Sequence, residues 1–249
     1  MQDRKLQVGI DRIIQLSWLE RTAFLVMAGN DKETIEDSLQ DLLKDRLAGG
    51  RKGVRASREK TITVLMKVWL NVPDHLKDLQ VDGLRLLQKV SKAESLAVHW
   101  GMIMAVYPFW FSVAAHTGRL LQLQESVTNA QIERRMKEQY GDRQTVTRST
   151  QRALRSFTDW GLLTLTKGKG IYSQKNAITI QNPDVVAWLL ETSLHARFKG
   201  SAPFPELINA PSLFPFQLTH ISPIQLTSLS PRLERLRHGL DDDLIELMK

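Results

Sequence analysis

One segment holds residue types and spacings that could do chemistry. Residues 144–163 read QTVTRSTQRALRSFTDWGLL. On a helix, Val146, Thr150, Ala153, Leu154, Phe157 and Trp160 share one face, and Arg148, Ser149, Gln151, Arg152 and Arg155 share the other. Guanidinium, hydroxyl and amide groups can donate to phosphate oxygens and to base edges in a major groove. The N-terminus of such a helix also favours a phosphate. The chemistry is non-covalent reading and anchoring of a duplex, with Arg148, Ser149, Gln151, Arg152 and Arg155 as the contacts. Losing Arg148 and Arg152 together is expected to weaken binding.

These residues need elements to position them. Thr128 or Asn129 can cap a helix with Ile132 and Met136 inward, ending near Gly141. A second helix is expected over 147–160, closed by Gly161. Two β-type runs, 162–166 and 171–173, flank Lys167-Gly168-Lys169-Gly170 and predict a hairpin. Lys167 and Lys169 would then reach backbone phosphates or a minor groove. Helix, turn, helix and hairpin is the winged-helix order.

The run Val146-Thr147-Arg148-Ser149-Thr150-Gln151-Arg152-Ala153-Leu154, followed by Gly161-Leu162-Leu163 and a glycine wing, resembles the winged helix-turn-helix superfamily, specifically GntR-type regulators. The likeness spans about 50 residues, and Arg152-Ala153-Leu154 is one residue shorter than the commonest spacing in that family. The whole order also resembles the BrxA family of bacterial BREX phage-defence systems: a helical N-terminus, the break at Tyr107-Pro108-Phe109-Trp110, then Phe157-Thr158-Asp159-Trp160-Gly161-Leu162-Leu163. That resemblance implies an all-helical, DNA-binding accessory protein without catalytic residues. The proline-rich region after residue 200 departs from it.

The rest of the chain reads as support. Its 249 residues carry 34 Lys+Arg against 27 Asp+Glu, a net +7, which suits a polyanionic partner. With 42% hydrophobic residues it can bury a core, and with no cysteine it lacks disulfides, thiol nucleophiles and Cys-ligated metals. Together with the absence of a signal-peptide pattern in the first residues, this fits the cytoplasm.

Residues 1–125 predict a helical bundle. Residues 6–28 suggest two short helices. Asp31 caps another with Ile35, Leu39, Leu42 and Leu43 at i, i+4, i+7, i+8 spacing, stopped by Gly49-Gly50. A basic stretch follows, in which Arg51, Lys52, Arg55 and Arg58 form a secondary patch for phosphates. Further helices are expected over 61–70, from Asp74 to Leu79, and along Leu84–Val90. The apolar run 96–115 is about the length of a membrane span, but Pro108 divides it, and it is read as two buried helices.

The unit 126–181 is the winged helix. Residues 182–249 give a helix capped by Asp184, a proline-rich wrapping region, and a terminal run that is either hairpin or helix. The fold class is mainly α: an N-terminal helical bundle, then a winged helix-turn-helix with a small β-hairpin wing.

No phosphate loop, dinucleotide fingerprint, H-E-x-x-H or assembled nucleophile appears. No cofactor or metal is expected. The expected function is a non-enzymatic DNA-binding accessory protein of a BREX-like defence complex, with double-stranded DNA and other complex subunits as partners. The alternative is a scaffold whose winged helix and tail, through Phe204, Phe214 and Phe216, dock other subunits.

Overall fold

Tyr107-Pro108 bends the most apolar run of the chain. Proline has no N–H to donate and disfavours helix in the residue before it, so α5 (Lys92–Val106) ends there and α6 (Pro108–Leu123) begins on the proline. The two helices meet at 119°, and no single helix among the described residues is long and apolar enough to cross a membrane. The structure, a computed structural model, describes residues 6–44, 52–166, 170–238 and 242–248. It is mainly helical, with 63% helix.

Residues 97–106 of α5 are buried on every side, as are 185–194 of α9 (Pro183–Ala196). The two helices pack along each other. Gly101 makes this possible, since a Cβ there would stand 2.7 Å from Trp188. Around α5 lie α1 (Leu16–Met27), α3 (Lys52–Trp69) and α4 (Lys77–Leu87), with α2 (Lys32–Lys44) packed on α1 and α3. Trp69 Nε1 donates to His99 Nδ1 at 3.1 Å. Burial lowers the pKa of His99 to about 3, so its ring is neutral.

Three expectations for this half change. Residues 7–15 are not helical. They form an extended strap that buries Ile10 and Ile14. Gly9, at φ +60°, breaks any helical run there. The basic stretch is helical from residue 52, because α3 begins there. The two helices expected over 74–90 are a short 3-10 turn, Asp74–Leu76, followed by the single helix α4.

After α6 come β1 (Ser126–Thr128), α7 (Asn129–Tyr140), α8 (Gln144–Asp159), β2 (Leu163–Leu165) and β3 (Ile171–Gln174). Thr128 caps α7 reciprocally with Gln131. The strands form one antiparallel sheet in the order β1-β3-β2, with Val127 opposite Tyr172 and Tyr172 opposite Leu165. Strand β1 is too short to show as a pattern in the sequence.

The proline-rich region is ordered. β4 (Ile178–Ile180) pairs in parallel with β6 (Phe216–Leu218). β5 (Ser201–Pro203) pairs with β8 (Asp242–Leu247), which pairs with β7 (Leu233–His238), so the terminal run is a hairpin. Between these lie α10 (Phe204–Ile208), a 3-10 turn Pro211–Leu213, and α11 (Pro223–Leu229). Asn182, not Asp184, caps α9.

Phe214 and Phe216 are each 8% exposed and join Trp100, Trp110, Phe157 and Trp160 in one aromatic cluster, with Trp100 4.8 Å from Phe157 between ring centroids. Two of the three tail residues named as docking contacts are therefore core. Phe204 is only half-buried.

Candidate nucleic-acid interface

Helix α8 is amphipathic in sequence and lies that way in the fold. Val146, Thr150, Ala153, Leu154 and Phe157 are buried. The chain enters through the turn after α7, where Gly141 at φ +86° reverses direction and Arg143 Nη2 donates to Tyr140 O at 2.9 Å. It leaves through Gly161 at φ +75°, where a side chain would be strained.

The polar face is divided by what its residues touch. Arg148 and Arg155, two turns apart, are exposed, and neither makes an ion pair among the described residues. Gln151 donates from Nε2 to Glu133 Oε1 on α7 at 2.8 Å. Arg152 donates from Nη1 to the carbonyl of Asp11 and lies 3.5 Å from its carboxylate. Ser149 is 1% exposed, so it is not on the open face where the helical pattern put it. It lies beneath the strap and lines a groove with Gly9, Asp11, Arg143 and Thr145.

The strap is held by α8 itself. Ser156 Oγ accepts from the Ile14 amide at 2.8 Å, and Trp160 Nε1 donates to Ile14 O at 2.8 Å. It also brings in a cation that the sequence reading missed. Arg12, 3.0 Å from the Asp11 carboxylate, acts on Arg152 together with Arg148 and Arg155. Burial first, then these neighbouring guanidinium charges, lower the pKa of Arg152 against the pull of Asp11. Four guanidiniums thus gather here, two of them, Arg12 and Arg152, at the Asp11 carboxylate, with Glu133 at the edge of the group.

The cations of α7 are already paired. Arg134 and Arg135 lie against Glu138, and Lys137 lies against Asp142. Lys167 and Lys169 lie outside the described residues, although the strands that carry them close with Thr166 N donating to Ile171 O at 3.0 Å. Of the secondary patch, Arg51 also lies outside. Lys52 and Arg55 stand in the first turns of α3, with side chains outside the description. Arg58 is half-buried, and its Nε has no hydrogen-bond partner among the described residues.

Asp11, Arg12 and Glu133 complete the cluster, yet no local pattern marked them. The one available signal was Gly9, which should have argued against a helix over 6–15. Among the described residues, no group of three or more His, Asp or Glu side chains is placed to hold a metal ion. No protein-family model, curated protein or solved structure matches the chain.

Proposed function

We propose that this chain is a non-enzymatic, cytoplasmic DNA-binding accessory protein whose winged helix-turn-helix spans residues 126–181, with α8 entering the major groove. The carrying observation is the guanidinium cluster on α8. Arg148 and Arg155 make no ion pair there among the described residues, and Arg12 and Arg152 lie close by. Holding like charges together raises the free energy, and a bound polyanion lowers it again while releasing its own counterions. The order helix, strand, helix, helix, hairpin, with the first strand pairing the last, supports the winged reading. Membership of a phage-defence complex rests on the sequence resemblance to the BrxA family.

Within this reading the contacts are unequal. Arg148 and Arg155 anchor phosphates or read bases at once. Arg152 and Gln151 must first leave Asp11 and Glu133. Ser149 serves packing instead.

The test is fluorescence anisotropy of a labelled duplex across a salt series. Replacing Arg148 and Arg155 by alanine should weaken binding and flatten the slope of log K against log salt by about two units. Ser149→Ala should leave that slope unchanged. Equal affinity and slope in the double variant would remove α8 from the interface.

A further inference from the structure

A pocket opens where α6, the end of α7, the end of α9 and the turn at 211–213 meet. Its volume is about 240 Å³. Pro108, Phe111, Ala115 and Pro211 make an apolar wall, and Phe198 adds a ring that is 50% exposed. Two cations line it, Arg119 and Arg197, and no carboxylate does. Arg119 is exposed and makes no ion pair among the described residues. Arg197 is half-buried, and that burial lowers its pKa, with Glu206 beyond the lining opposing.

The remaining polar groups form a closed chain. Gln139 Oε1 meets His116 Nε2 at 3.2 Å, and Gln139 Nε2 donates to Ser112 Oγ at 3.3 Å. Ser112 Oγ lies 2.8 Å from the Tyr140 hydroxyl. Burial lowers the pKa of His116, with the Arg119 and Arg135 charges adding to it and Gln139 and Glu138 opposing. Burial raises that of Tyr140 to about 12. The chain is therefore neutral at physiological pH, and the fixed charge of the lining is that of the two arginines.

One group is left over. Ser212 belongs to the lining but is 1% exposed, and its Oγ is buried out of reach of the pocket, with no hydrogen-bond partner among the described residues. A buried hydroxyl without a partner is costly and uncommon in folded proteins.

We propose that this pocket binds a small organic carboxylate. The carboxylate lies on the guanidiniums of Arg119 and Arg197, and an aromatic or branched body lies against Phe111 and Pro211. Arginine suits a carboxylate because its planar fork can donate two parallel hydrogen bonds. An apolar wall with a few convergent polar groups is the usual build of a small-molecule site. The inference does not depend on DNA contact.

The test is titration calorimetry on the full chain with benzoate and 3-phenylpropionate as probes. Their neutral amides and inorganic phosphate serve as comparisons. One carboxylate should bind saturably, one per chain, and its amide about tenfold more weakly. Arg119→Gln, at an exposed position, should weaken the carboxylate by a similar factor. Arg197→Gln should weaken it too.

Several results overturn the proposal. They are no saturable binding of either carboxylate, equal affinity for acid and amide, or affinities untouched by both substitutions. Phosphate binding as tightly as the carboxylates would overturn the role of the apolar wall.

Discussion

Arg152 and Asp11, 141 positions apart in the chain, join the amino-terminal strap to the helix that carries the cation cluster. Asp11 is the only carboxylate among Arg12, Arg148, Arg152 and Arg155 in the interactions that act on Arg152. Its side chain is 51% exposed, so water screens the pair and it adds little to stability. Asp11→Asn should therefore cost at most about 1 kcal/mol of folding stability. It should also tighten duplex binding and steepen the salt slope by up to about one unit, because Arg152 gains freedom to meet a phosphate. Anisotropy across a salt series and a thermal melt read the two effects. Weaker binding would mean that the strap carboxylate supports the interface rather than competing with DNA for it.

The strap's attachment depends more on Ser156 than on that ion pair. Ser156 Oγ accepts from the Ile14 amide and donates to the Arg152 carbonyl at 3.0 Å. Ile14 is wholly buried, so Ser156→Ala strands its N–H away from water, at a cost of about 1–3 kcal/mol. Hydrogen exchange should show faster exchange over residues 10–16, with α5 and α9 keeping their protection. A uniform rise across all helices would instead make the strap part of the global unfolding unit.

Periodicity explains what was legible. The stripe Val146, Thr150, Ala153, Leu154, Phe157 marked α8 and its buried face, and Pro108 marked the break between α5 and α6. The terminal hairpin was left open as hairpin or helix, because the run alternates around Gly239. Hidden features all depended on distant partners. β1 is a strand only because β3 pairs with it, and residues 7–15 are extended because Ser156 and Trp160 meet their backbone groups. Ser149 illustrates the limit for the site. A helical wheel gives its direction, but only the strap packed on α8 determines that it is buried.

Gly118 tests how the proline-rich region is held. A Cβ there would stand 1.9 Å from the Pro211 carbonyl oxygen and 3.2 Å from Phe214 Cβ, so α6 and the 211–213 turn cannot both keep their places. Alanine favours helix over glycine by about 1 kcal/mol. The overpacking works against it and should reach or exceed the upper end of about 1–3 kcal/mol. Gly118→Ala should therefore lower the urea midpoint despite its better helix propensity. A raised midpoint would show that the turn yields easily.

Glu191 carries the pH dependence. It is wholly buried on α9 and receives Arg232 as a fork, Nε to Oε1 at 2.6 Å and Nη2 to Oε2 at 3.1 Å. Arg232 also meets Asp82 of α4 at 2.8 Å, and His195 Nε2 stands 3.6 Å from Glu191 Oε1. Burial alone would raise the carboxyl's pKa. The nearby His195 ring, with the hydrogen bonds and charge of Arg232, outweighs it and holds Glu191 below its ordinary 4.5. The folded state thus binds this proton less tightly than the unfolded state does. The stabilisation is complete above 4.5 and is lost as pH falls through the lower, folded value.

Arg232→Met reverses the sign. The carboxylate is then buried without its fork, burial raises its pKa, and stability is lost as pH rises. At neutral pH the loss should be about 3–5 kcal/mol, the cost of leaving one partner of a buried pair uncompensated. Other carboxylates titrate in the same range, so the readout is the difference between the two melting curves from about pH 4 to pH 7. That difference should grow with pH. Adding Glu191→Gln to the variant should flatten it, because the titrating group is then gone. A difference that stays constant with pH would mean that Arg232 stabilises the fold by packing rather than by charge.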